Sequence, residues 1–216
     1  MRDAFHRELE SLDQAVVRMG ALVEQSTQAA TTALIECDHE LAQKVRDGDD
    51  EIDALFMDVE TRTLRLLAQQ APVAGDLRLI VVILRVVNDL ERTGDLAYNI
   101  AKLAQLEDFR QPELKPIRAL IAEMGKTAAD VMAAAIDAWA AKDEVLAAEI
   151  ARKDDVLDDL HAQLIERLVE LKGEDSLASA IRLAMVGRYL ERIGDHAVNL
   201  SERLRYSLTG DEEHLG

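Results

Sequence analysis

The residues best equipped for chemistry in this chain are carboxylates spaced one helical turn apart. Glu91 and Asp95 stand in the decapeptide ERTGDLAYNI at 91–100, and Glu191 and Asp195 in ERIGDHAVNL at 191–200, with six of ten positions identical. With the seam residue Leu90 set at zero on a wheel of about 100° per residue, Glu91 and Asp95 fall near 100° and 140°, on one face beside the apolar stripe. A second acidic set, Asp49, Asp50 and Asp53, returns 105 residues later as Asp154, Asp155 and Asp158. It lies at about 60° to 160° from its own seam residue, Ile52. Two adjacent helices carrying these sets line one groove per half with four or more carboxylates. Like charges a few ångströms apart do not all ionise cheaply, so such a groove favours proton uptake or a cation. Oxygen donors suit Mg²⁺, Mn²⁺, Ca²⁺ or iron better than a thiolate-selecting metal, and Fe, Mn, Mg and Zn are the candidate ions. The expected ligands are Asp50, Asp53, Glu91 and Asp95 in one half and Asp155, Asp158, Glu191 and Asp195 in the other, with Asp49 and Asp154 as secondary candidates.

Two other readings of the same residues stand beside this one. An acidic pair on a polar helix flank is commonly a solvated face. Arg92 and Arg192, next to each pair, could instead neutralise carboxylates on a neighbouring helix and make the cluster structural. Gly94 and Gly194 each cost about 1 kcal/mol in a helix interior relative to alanine, so their repetition indicates that a backbone or a bound species comes close there.

Catalytic alternatives find little support in the spacing. The chain contains no Gly-rich phosphate loop and no Ser/Cys–His–acid arrangement that the spacing singles out. A di-iron carboxylate oxidase would need Glu-x-x-His, but Gly94 and Gly194 occupy the positions three after Glu91 and Glu191. His196 has no counterpart in the first copy, where Leu96 stands, and reads as an interhelical or surface histidine. A non-enzymatic protein is expected, with a metal-dependent hydrolase or oxidase as the rival.

The elements that must position these groups are helices. Aromatics make up 3% of the 216 residues and Pro occurs three times, while hydrophobic residues reach 49%, a balance that favours long helices around a packed core. Apolar residues step by three and four through Phe5, Leu9, Leu12, Val16, Met19 and Val23, marking a first helix over 2–37. Asp38 caps a second to about residue 70, with its seam on Leu41, Val45, Ile52, Leu55, Val59 and Leu66. Pro72, Gly75 and Asp76 punctuate the chain before a third, which ends near residue 105. The segment EDFRQPELKP at 107–116 carries two prolines and marks a junction. A spacing of 105 then maps Met19-Gly20 onto Met124-Gly125 and Asp38 onto Asp143. It drops to 100 before the last helix, so the second loop, around residues 173–176, is five residues shorter. The chain therefore reads as an all-α duplication: two tandem antiparallel three-helix bundles, six long helices in all, over 1–107 and 117–216, joined at 108–116.

A net charge of −17 repels phosphate backbones and anionic headgroups, so direct binding to nucleic acid is not expected. Cys37 is the lone cysteine, which excludes an intramolecular disulfide and is compatible with a reducing compartment. The longest strongly apolar run, 79–84, is far short of the roughly 18 residues a bilayer span needs, and the start of the chain lacks a secretory apolar region. These features point to the cytoplasm.

The paired ERTGDLAYNI and ERIGDHAVNL, together with QQAPVAGDLR at 69–78, NDLERTGD at 88–95 and GDDEID at 48–53, make the whole chain resemble the PhoU family of phosphate-specific transport system accessory proteins. The resemblance implies two PhoU domains and a cytoplasmic regulator that represses the phosphate-starvation response when phosphate is plentiful. The implied partners are a phosphate ABC transporter, through its ATPase subunit, and a sensor histidine kinase, with membrane association only through that complex; a homodimer is the expected assembly. The family's Glu/Asp-x-x-x-Asp motif supports multinuclear metal sites in several members and carries over to Glu91 and Asp95 and to Glu191 and Asp195. The helix-two aspartates match less closely, because Lys153 replaces Gly48. The second half has no equivalent of Asp76 to Arg78, a stretch set aside for a partner or an ion pair, so the two sites need not be equivalent. Without the resemblance, the residues describe an acidic helical interaction module that binds metal.

Overall fold

Cys37 and Lys142, 105 residues apart, turn the chain in the same way. Both adopt the left-handed conformation, with φ of 54° and 53°. The amide after each reaches back into the preceding helix, Asp38 N to Ala33 O at 2.9 Å and Asp143 N to Ala138 O at 3.0 Å, which satisfies carbonyls that a helix end leaves free. The following aspartate starts the next helix. Asp38 accepts from Leu41 N at 2.9 Å, and Asp143 from Val145 N at 2.8 Å and Leu146 N at 3.1 Å. A stop and a start within two residues send the next helix back antiparallel to the last.

The computed structural model describes residues 2–69, 72–106, 109–173 and 176–211. Its helices are α1 (Arg2–Glu36), α2 (His39–Gln69), α3 (Ala74–Ala104), α4 (Lys115–Ala141), α5 (Glu144–Ala148), α6 (Ile150–Val169) and α7 (Ser176–Thr209), with a 3₁₀ turn at Pro112–Leu114 before α4. Six are long, as expected, and no strand occurs among the described residues. The fifth expected helix opens with the single turn α5 and restarts at Ile150 as α6. Residues 70 and 71 of the QQAPVAGDLR stretch, 107 and 108 of the junction, 174 and 175 of the short second loop, and 1 and 212–216 at the ends lie outside the described residues.

Each half is a three-helix bundle, α1–α3 and then α4 with α5/α6 and α7. The halves also share one core. Helix α1 packs on α4 and α3 on α7, which leaves α2 and α6 as outer helices. A single apolar cluster runs from Phe5 and Leu12 through Ile83 and Leu90 to Met132, Trp139, Leu190 and Leu204. Small residues let α1 and α4 close on each other. A Cβ on Gly20 would strike Ile136, and one on Gly125 would strike Thr31. Since 20 + 105 is 125 and 31 + 105 is 136, these are two copies of one contact related by the internal repeat. Within the junction, Phe109 is fully buried and its carbonyl accepts from Arg118 at 3.3 Å, so this connection is tied into the common core. Hydroxyls inside the core are satisfied locally: Thr27, Thr31, Thr63, Thr93 and Ser201 each donate to the carbonyl four residues back.

Candidate functional site

The repeated glycines mark where an outer helix meets the core. At Gly94 on α3, an added Cβ would lie 3.1 Å from Ile52 Cδ1 and 3.2 Å from Asp49 Oδ1 of α2. At Gly194 on α7 it would run into Asp154 Oδ1 and sit 2.8 Å from Leu157 Cδ2 of α6. The close approach expected at these glycines is therefore made by a carboxylate from the neighbouring helix. Leu157 and Ile52 press in from the same side, which seats the aspartate beside the glycine with apolar walls around it.

Asp154 is 8% exposed, and its Oδ1 has no hydrogen-bond partner. Burial, followed by the charges of Asp158, Asp195, Glu191 and Asp155, pushes its pKa up to about 7. Asp49 is half-buried and is pushed up to about 6, again by burial first and then by Asp53, Asp95, Glu91 and Asp50. Glu91 is raised by burial and by Asp95 and Asp53, with Arg92 opposing, and Asp95 is raised by burial and Asp53. Glu191 is raised by burial and Asp195, while Arg188 and His161 oppose. Its Oε2 is buried without a partner, and Arg188 engages its Oε1. Thus α2 with α3, and α6 with α7, each bring two acidic segments distant in sequence into one electrostatic cluster.

Asp49 and Asp154, the secondary candidates, occupy the inner positions. Asp53, Asp95, Asp158 and Asp195 are exposed at the groove mouth, Glu91 and Glu191 are half-buried between, and Asp50 and Asp155 are exposed at the rim. Among the described residues, no three His, Cys, Asp or Glu side chains already stand as a preformed chelate. Mutual repulsion of carboxylates favours such a splayed arrangement. Arg92 and Arg192 are exposed. Arg78 lies against Gly210 at the end of α7, where a Cβ would meet its guanidinium and φ is 77°. Asp76 and Arg78 precede Glu91 by thirteen or more residues on one helix, roughly 20 Å, and do not reach the groove.

One polar cluster escaped the sequence reading. Asp89 of α3 is buried between the halves, in an ion pair with Arg203 of α7 and 3.4 Å from Nδ1 of His196. Arg203 also donates to the Arg85 carbonyl at 3.1 Å. Burial and Arg192 depress the His196 pKa, which favours the neutral imidazole. The available signal was a break in the repeat: Tyr189, Leu96 and Leu103 stand where these three would recur.

The donor set suits a hard cation. It consists of carboxylates, two of them with buried, unpartnered oxygens, in a groove whose charges oppose one another. Fold and site together define a class of protein: a duplicated three-helix bundle with an acidic groove in each half. The PhoU domain model matches residues 16–104 and 121–204, and the chain belongs to the PhoU family. It is 34% identical over 210 residues to the phosphate-specific transport system accessory protein PhoU homolog 2 of Mycobacterium tuberculosis, covering 97% of this chain and 99% of the relative. It is 37% identical to the corresponding homolog of Pseudomonas putida, covering 98% and 84%. Among solved structures, PhoU from Pseudomonas aeruginosa superposes with a TM-score of 0.89 at 33% identity, covering 96% of this chain and all of that one. The phosphate transport system regulatory protein PhoU from Streptococcus pneumoniae gives 0.86 at 30%, covering 96% and 98%.

Proposed function

We propose that this protein regulates phosphate uptake and represses the phosphate-starvation response. It acts in the cytoplasm as a non-enzymatic, homodimeric adaptor between the ATPase subunit of a phosphate ABC transporter and a sensor histidine kinase. The observation that carries this reading is likeness over nearly the whole chain to relatives named as accessory proteins of phosphate-specific transport. The fold favours an adaptor, because a shared core holds long helices rigid while their polar faces stay open to partners. Among the described residues no helix is long and apolar enough to cross a membrane, so contact with a transporter would be made through a partner subunit. A pulldown with the ATPase subunit and the kinase tests the adaptor role, paired with reporters of phosphate-starvation genes in a deletion strain. Constitutive expression that this chain reverses is expected. Normal repression in a strain lacking every homologue, with neither partner retained, would leave the alternative of an interaction module unconnected to phosphate.

The same reading places cations in the two grooves. A bound divalent ion would supply positive charge that lets neighbouring carboxylates ionise together. Asp49 and Asp154 would hold it from inside, Glu91 and Glu191 from the half-buried wall, and Asp53, Asp95, Asp158 and Asp195 from the mouth. The helix backbones that carry these residues are fixed by the core, so only side-chain rotamers need to change. Metal analysis of the untreated protein tests this, followed by melting with Mg²⁺, Mn²⁺, Fe²⁺ and Zn²⁺. No metal retained and no shift with any ion would remove the cation role. Sustained turnover of phosphoesters, or of reductant with oxygen, that is lost in Glu91→Gln would replace the adaptor with an enzyme.

A further inference from the structure

Among the differences between the two grooves, one lies at a pair of facing positions. His161 of α6 packs on Gly187 of α7, where an added Cβ would lie 3.2 Å from its Cδ2 and 3.6 Å from its Nε2. The repeat places Phe56 and Val87 at the same positions in the first half. A bulky apolar pair in one copy is thus a histidine with a glycine beside it in the other. On α6, Asp154, Asp158 and His161 step by four and three along one face; on α7, Gly187 precedes Glu191 by one turn. The imidazole therefore stands one turn along both helices from the acidic cluster. This is also the half whose groove contains the nine-tenths-buried Asp154, with an oxygen that lacks any partner.

We propose that His161 is a nitrogen ligand of the second groove, which makes that groove selective for a borderline cation such as Zn²⁺ or Fe²⁺, while the all-oxygen first groove takes a harder ion such as Mg²⁺. The proposal rests on the reading that both grooves bind cations. Imidazole suits Zn²⁺ and iron, whereas an all-carboxylate set suits Mg²⁺ and Mn²⁺. Phe56 leaves the first groove no such donor, and Val87 carries a side chain where Gly187 lets Leu164 and His161 come close.

The test uses the full chain, stripped of metal, with each groove silenced in turn: Asp49→Asn with Glu91→Gln for the first, Asp154→Asn with Glu191→Gln for the second. Calorimetric titration with Zn²⁺ alone and Mg²⁺ alone measures each remaining groove. Cu²⁺ paramagnetic resonance then reports nitrogen coupling. With the first groove silenced, Zn²⁺ should bind with imidazole nitrogen coupling, and His161→Phe should abolish the coupling. The same variant should weaken Zn²⁺ by roughly 10–100-fold, a loss that even an outer-shell partner of a metal ligand can cause, and leave Mg²⁺ within about twofold. His161→Gln, nearer in size, should give the same loss if the nitrogen is what matters. Unchanged Zn²⁺ affinity and persistent nitrogen coupling in both variants would overturn the proposal while cation binding stood. Absence of Zn²⁺ and Mg²⁺ binding in both grooves would overturn the cation reading itself, and this inference with it.

Discussion

Asp154→Asn isolates the strain that a metal-free acidic groove places on the fold. Asp154 titrates near 3.8 when unfolded and at about 7 in the folded chain. Between those values the native state holds a proton that the unfolded chain has lost, so stability falls as pH rises through this window and the whole contribution is gone above pH 7. The rise from 3.8 to about 7 corresponds to about 4 kcal/mol, an upper limit because the carboxylate can rotate toward water. Asparagine keeps the shape and cannot ionise. The stability of the variant relative to its parent should therefore improve by up to that amount between pH 4 and pH 8, flat at either end. For a chain of this size this is a relative gain of roughly 8–16 °C in melting temperature. Trp139 is the sole tryptophan and is fully buried, so its fluorescence follows the transition. Chelator-treated protein is unfolded in urea at half-unit pH steps, and the difference between the two chains is plotted, which cancels the titrating groups outside this acidic cluster. A difference that does not vary with pH would refute the assignment of a desolvated Asp154. With a groove-binding cation present the order should reverse, because the parent is stabilised and the variant is not.

Four further outcomes test other parts of the structure. Replacing Glu91 and Asp95 with Gln and Asn should abolish the metal-induced rise in melting temperature from the first groove, worth roughly 2.7 kcal/mol at a cation concentration of a hundred times Kd; an undiminished rise would place the ion elsewhere. Asp89→Leu leaves the half-buried Arg203 without its carboxylate and should destabilise the protein by up to about 3 kcal/mol in urea unfolding, whereas Asp89→Leu combined with Arg203→Met should recover most of that loss. Gly194→Ala forces a Cβ into Asp154 and Leu157 and should cost about 1–3 kcal/mol, with Gly94→Ala, whose nearest contacts are 3.1–3.2 Å, costing less. Gly48→Ala meets nothing within 4 Å and should stabilise α2 by about 1 kcal/mol, a contrast read directly from melting of the three variants.

How much of the site was legible in the sequence can be judged at Asp49 and Asp50. Both lie on the acidic flank of α2, and a helical wheel assigns that flank without any tertiary information. The wheel also ranks them, with Asp49 at about 60° from the seam and Asp50 at about 160°. In the fold Asp49 meets α3 at Gly94 and Asp50 faces solvent. Asp89 shows the opposite limit. A lone aspartate one residue before the seam looks like a surface residue, and only the packing of α3 on α7 supplies Arg203 and His196 to bury it against.

The sequence by itself determined the helices, their caps and the duplication, because hydrophobic period, capping aspartates and the repeated ERxGD are local properties of the chain. The PhoU resemblance was legible for the same reason. Tertiary structure alone decided that the two halves share one core, that a carboxylate fills the space beside each repeated glycine, and that His161 packs against Gly187. Side-chain period states which face of a helix is buried but not which helix it will meet. That choice is made by complementary surfaces far apart in sequence, such as Gly20 against Ile136 and Gly125 against Thr31, whose fit exists only once the helices have packed.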